Sequence, residues 1–126
     1  MKDVRHDYSY QAFRILQVAF IIAPILAGLD KFVYLLTNWI HYLSPMALQA
    51  LQGNERFFMM AVGVIEIIAG IGVIFKPRIF SYIIALWLLC IIINLLAGGF
   101  YDIALRDVGL LLGALALGRL SHQFDR

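Results

Sequence analysis

With 126 residues, 63% of them hydrophobic and 14% charged, the chain is neither a disordered segment nor a collagen-like repeat nor an ordinary soluble domain, which runs about 25% charged. A soluble domain of this size exposes most of its residues, and too few polar side chains are present to cover its outside. Ten Lys and Arg against eight Asp and Glu leave a net charge of +2, without a basic run or stripe, so no nucleic-acid partner is expected.

The single cysteine, Cys90, has no internal disulfide partner and sits in an apolar run, as a small core or lipid-facing residue does. No Cys/His cluster or His pair has metal-ligand spacing, so no metal is expected.

Crossing the hydrocarbon core takes about 20 mostly apolar residues in a helix. Four runs approach this: residues 12–29, 57–75, 79–97 and 103–120. Arg14 and Gln17 interrupt the first near its start, Glu66 lies mid-way along the second, Asn94 lies near the end of the third, and Arg106 and Asp107 open the fourth. None alternates with the period of two that strands of a membrane barrel show. The expected fold is therefore an all-α transmembrane four-helix bundle, one domain over residues 1–126, with the lipid bilayer as its solvent. The basic start and small Ala27–Gly28 end of the first run also match a signal peptide, but a retained helix is expected.

The connections divide the basic residues. Lys2, Arg5, Arg14, Lys76, Arg78, Arg119 and Arg126 fall on one side, and Lys31, Arg56 and Arg106 on the other. The positive-inside rule then places both tails in the cytoplasm. Lys76-Pro77-Arg78 forms a tight turn on that side, because proline cannot continue a helix.

Between the first two runs lies an aromatic insertion, residues 32–52. On a helix, Phe32, Leu35, Leu36, Trp39 and Leu43 share a face, with Asn38, His41 and Tyr42 off it, and Ser44-Pro45 resembles a helix start. Two short interfacial helices fit this pattern; so does a first helix that simply continues past Lys31. Echoes between Ile25–Gly28 and Leu95–Gly98, and between the glycines of the second and fourth runs, hint at a duplicated hairpin with the insertion in its first copy.

Small residues mark packing faces, since lipid supplies no hydrophobic force between helices. Gly63, Glu66 and Gly70 share one face of the second span, and Gly109 and Gly113 one face of the fourth. Pro24 is placed to kink the first span and free a carbonyl.

Glu66 is the residue that most demands a partner. A charge at mid-membrane costs about 2.5–3.5 kcal/mol on insertion scales. Asp30, Lys31, Asn94, Asp102, Arg106 and Asp107 fall in the outer third of their spans, with Glu66 below them. The candidate binding cluster is Lys31, Glu66, Asn94, Arg106 and Asp107, with a Glu66–Arg106 ion pair expected at its floor. Asp102 and Asp107 also have an ordinary reading, as acids favoured by a helix N-terminus. His6, His41 and His122 do not face one another at one depth, so a bis-histidine haem is not expected. No triad or phosphate loop is present, and no catalytic motif is found in the chain.

Arg14 and the apolar run ending Gly28-Leu29-Asp30-Lys31, the Gly63–Glu66–Gly70 pattern, and the stretch from Asp102 through Arg106-Asp107-Val108-Gly109 to Gly113-Ala114-Leu115-Ala116-Leu117 together resemble DoxX-like membrane proteins. The resemblance covers nearly the whole chain apart from its N-terminal tail and part of the outer loop. It implies a small bacterial inner-membrane bundle. Named members of that family are linked to thiosulfate:quinone oxidoreduction or anchor membrane complexes that handle oxidative and thiol stress. This chain departs from an autonomous oxidoreductase in having no cysteine pair and no ligands for a covalent cofactor. Two expectations follow: a scaffold or binding subunit with a protein partner, contacting a quinone or lipid through the polar cluster; or a redox or transport protein using Glu66 with Arg106 and Lys31 on a proton or small anion.

Overall fold

The computed structural model describes residues 7–124, and all regular structure among them is helical. In order these are α1 (Tyr8–Val33), a 3-10 turn (Trp39–Tyr42), α2 (Pro45–Leu51), α3 (Glu55–Phe75), α4 (Pro77–Ala97) and α5 (Tyr101–Phe124). Lys2, Arg5 and Arg126, assigned above to the cytoplasmic side, and His6 lie outside the described residues.

Each apolar run sits inside one long helix, and local chemistry sets the ends. Asp7 caps α1, its carboxylate accepting the Ser9 N–H at 3.0 Å. Lys76 alone separates α3 from α4, whose first turn begins with Pro77, where the missing N–H has no helical partner to lose. Gly99, at φ 82°, makes the reversal from α4 to α5.

Three helices, α1, α3 and α4, are long and apolar enough to span a membrane. The fourth expected span differs. α5 has 24 residues, about 36 Å of helix, but Asp102, Arg106 and Asp107 near its start and Arg119 near its end confine its apolar stretch. Outward faces are apolar throughout: Leu26 on α1, Ile68 on α3, Leu86 on α4 and Leu112 on α5 are each more than half exposed. So much exposed apolar surface belongs with lipid and not with water.

α1 packs chiefly on α3 and α4 chiefly on α5; α1 also touches α5, and α3 touches α4, so α3 and α5 stand diagonally. The α1–α3 crossing is set by glycine. A Cβ on Gly28 would lie 2.5 Å from the Gly63 carbonyl oxygen, and one on Gly63 would lie 2.6 Å from the Gly28 carbonyl oxygen. Gly70 makes the same kind of approach to Ile21 and Ile25. The small-residue face of α3 therefore meets α1. On α5 the expected face is corrected. Nothing lies within 4 Å of a Cβ at Gly109, and one at Gly113 would make only an ordinary 3.4 Å contact with Phe20. The close approach comes at Gly118, against Ser81 and Tyr82 of α4.

The core is divided along the helix axes. At the end where the chain tails emerge, Phe13, Phe20, Val73, Ile84, Leu88, Ala114 and Leu117 bring all four long helices together. The Tyr10 and Phe124 rings, from the start of α1 and the finish of α5, meet at 5.2 Å. At the opposite end, Leu43, Met59 and Val62 form a second cluster beneath the insertion, and Ile92, Leu95 and Ala104 a third where α4 turns into α5.

Residues 32–43 do not form one amphipathic helix. Tyr34 takes a left-handed conformation, φ 56°, and ends α1; the chain then runs without helix to the 3-10 turn. Leu35 and Leu36 point outward while Leu43 is buried. Ser44 caps α2, its hydroxyl accepting the Ala47 N–H at 3.2 Å.

Candidate functional site

The insert end holds most of the buried charge. Asp30, one turn from the end of α1, is buried. Its carboxylate accepts the Leu35 N–H at 2.9 Å, the Leu36 N–H at 3.0 Å and the Trp39 indole N–H at 2.8 Å. These bonds satisfy backbone donors just past the helix and fold the insertion back over α1. This is why α1 stops where no Gly or Pro stops it.

The fold-back sets Trp39 on its neighbour. Lys31 Nζ lies 3.7 Å from the centroid of a Trp39 ring and 2.5 Å from Glu66 Oε1. The two charged side chains are only 6% and 12% exposed. Glycine makes the pairing reachable: the Lys31 side chain passes over Gly63, where a Cβ would meet the Lys31 Cβ at 3.2 Å, to reach Glu66 one turn along. The Trp87 indole of α4 lies near the Glu66 carboxylate. Its Nε1 completes no hydrogen bond, and neither does the buried Tyr34 hydroxyl.

Of the five expected cluster residues, Lys31 and Glu66 are brought together and the other three are not. The expected Glu66–Arg106 pair is corrected. Arg106 Nη2 sits 3.0 Å from Asp107 Oδ1, with its side chain 65% exposed against 5% for Asp107. α5 lies diagonally across from α3, and Arg106 faces outward, so its guanidinium reaches its own neighbour instead. Asp107 is buried as the inner half of that pair. Asn94 holds the insertion: its carbonyl accepts the Ser44 N–H at 2.9 Å and its amide donates to the Tyr42 carbonyl at 2.8 Å. His41, Tyr42 and Phe100 stack edge-to-face around 5 Å apart and close the same seam onto the α4–α5 turn.

Sequence reasoning passed over the parts of Asp30, Trp39 and Trp87. The available signal was two adjacent charges at the end of an apolar run, followed by an insertion rich in aromatic side chains. Among the described residues, no three His, Cys, Asp or Glu side chains gather closely enough to hold a metal ion. His122 instead pairs with the Tyr82 hydroxyl, at 3.2 Å.

No protein-family profile, curated protein or solved structure matches the chain.

Proposed function

We propose that this chain is a DoxX-like integral membrane protein of the bacterial inner membrane, crossing four times with both tails in the cytoplasm. In this reading it serves as a scaffold or binding subunit of a membrane-associated redox or stress-response complex. The contact between Tyr10 and Phe124 supports tails on one face, since it joins the first and last long helices at the same end. A protease site on each tail should be cut from the same side of sealed vesicles; cleavage from opposite sides overturns the topology.

The observation that carries the scaffold reading is the Lys31–Glu66 pair. The two charges are spent on one another, and Trp39 lies over the lysine. A buried pair of this kind fixes a conformation more than it adds stability. Here it joins α1, α3 and the insertion into one rigid platform. A quinone would find one unpaired donor nearby, the Trp87 indole N–H, while Lys31 and Glu66 are turned to each other. That donor set is a poor fit for a quinone-reducing centre, and no redox step is routed through it. Solubilised from its native membrane, the protein should bring down a stoichiometric second subunit, and Lys31→Met with Glu66→Met together should weaken that association while leaving the melting temperature near unchanged.

One observation favours the redox or transport reading: the unpartnered Trp87 donor beside the largely buried Glu66 carboxylate. In that reading Glu66 and Lys31 handle a proton or small anion without Arg106. The purified chain alone, in liposomes, would then carry activity that Glu66→Gln abolishes with folding intact. Absence of activity from the folded chain, with the complex retained, rejects it.

A further inference from the structure

Two grooves meet on the outside of α1 at the insert end, and neither uses the Lys31–Glu66 pair. The first, about 500 Å³, is lined by Val33, Tyr34, Asn38, Ile40 and Arg56. The second, about 260 Å³, is lined by Leu26, Leu29, Asp30, Val33, Leu35 and Leu36. Val33 borders both, so the two adjoin at that residue.

Their chemistry differs in kind. In the first, the Arg56 guanidinium lies over the Tyr34 ring, 5.3 Å from its centroid, and makes no ion pair among the described residues. The adjacent Glu55 carboxylate turns instead to the Gly53 N–H, at 3.2 Å. Asn38 spends its side-chain oxygen on the Ile40 N–H, which leaves the amide nitrogen as a donor. The Tyr34 hydroxyl has no partner. A cation and one neutral donor, the exposed Arg56 and Asn38 side chains, thus face one space that no carboxylate compensates, while the Tyr34 ring forms its wall. The second groove is apolar apart from Asp30, whose carboxylate is consumed by Leu35, Leu36 and Trp39.

We propose that these grooves together bind one anionic phospholipid. Its phosphate takes the Arg56 guanidinium, with the Asn38 amide as a further donor, and an acyl chain lies along Leu26, Leu29 and Leu36. Arginine suits a phosphate because its planar fork offers paired donors. The apolar channel running from the same rim selects a lipid over a free phosphate. The inference rests on the membrane location alone and is independent of what the Lys31–Glu66 pair does.

Native mass spectrometry from mixed micelles tests it, using phosphatidylglycerol and phosphatidylcholine of matched acyl chains. The protein should retain phosphatidylglycerol preferentially. Arg56→Gln should lower that preference about tenfold, the equivalent of one charge-assisted hydrogen bond. Asn38→Asp, which keeps the oxygen that accepts the Ile40 N–H but replaces the amide donor with negative charge, should lower it too. Both side chains lie at the groove rim, so thermal melts of the variants verify that folding is kept. Leu29→Trp, which fills the apolar channel, should reduce retention of both lipids. The double substitution Lys31→Met with Glu66→Met should leave the preference unchanged, which separates this proposal from the scaffold reading. Equal retention of the two lipids by the wild type overturns the proposal. So does displacement of phosphatidylglycerol by inorganic phosphate, which would mean an anion site with no role for the acyl groove.

Discussion

At the tail end of the molecule, Phe13, Phe20, Val73, Ala114 and Leu117 meet with little polar material between them; of the buried polar side chains there, Gln17 turns to the Val73 carbonyl and Ser121 to that of Leu117, while the Ser81 hydroxyl has no partner. At the insert end the same helices are held by Asp30, Lys31, Glu66 and Asn94 acting on one another and on the insertion. The first kind of contact depends on shape and is indifferent to exact identity, as repacked cores show. The second depends on charge and donor placement, so it specifies how far α1 runs and where the insertion lies. A stable bundle needs only the first; a surface presented to a partner in one fixed geometry needs the second.

Substitutions can be ranked by how hard they strain this contrast. The largest effect is expected where the two regions share a hinge, at the Gly28–Gly63 crossing. Gly63→Leu drives side-chain atoms into the Gly28 carbonyl and the path of Lys31, and should cost about 3 kcal/mol or more, the upper range for overpacking. The check is loss of a monodisperse species in detergent together with a lowered melting temperature. Next, Glu66→Gln should destabilise by about 3–5 kcal/mol, because it strands Lys31 without its counter-charge. The double variant, Lys31→Met with Glu66→Met, should be near neutral or slightly stabilising; thermal melts of the four proteins of this cycle give the coupling. Additive losses in that cycle would dissolve the distinction between the two ends.

A smaller loss, about 1–3 kcal/mol, is expected for Asn94→Leu, which orphans the Ser44 N–H and the Tyr42 carbonyl. Hydrogen exchange should rise across the 3-10 turn and the start of α2 and stay unchanged around Phe13 and Leu117. Smallest is Arg106→Gln. It leaves the buried Asp107 carboxylate without its counter-charge, but the outward-facing Gln amide can still donate to it, so a loss of about 1 kcal/mol is expected by thermal melt. Destabilisation comparable to Glu66→Gln would restore the long-range role that the geometry denies it.

The helices were plain in the sequence because lipid-facing helices are apolar all round, and composition alone marks them. Gly63, Glu66 and Gly70 were readable as one face for the same local reason: helical spacing fixes direction. Partner choice was not readable. Lys31 and Arg106 stood at comparable depths, and only the diagonal placement of α3 and α5, a property of the whole packing, decides between them. The end of α1 was hidden for a different reason. Its stop signal is a carboxylate that captures N–H groups beyond the helix, and no residue of the usual helix-breaking kind announces it.

Pairing Lys31 with a residue of α3 has a consequence for biogenesis. The first helix emerges from the ribosome carrying an ammonium group whose counter-ion has yet to be made. Within hydrocarbon that group is tolerated only when neutralised or drawn to the headgroups. Entry of the two segments as a joined hairpin is the order that keeps this charge neutralised, with the insertion between them as the connecting length of chain.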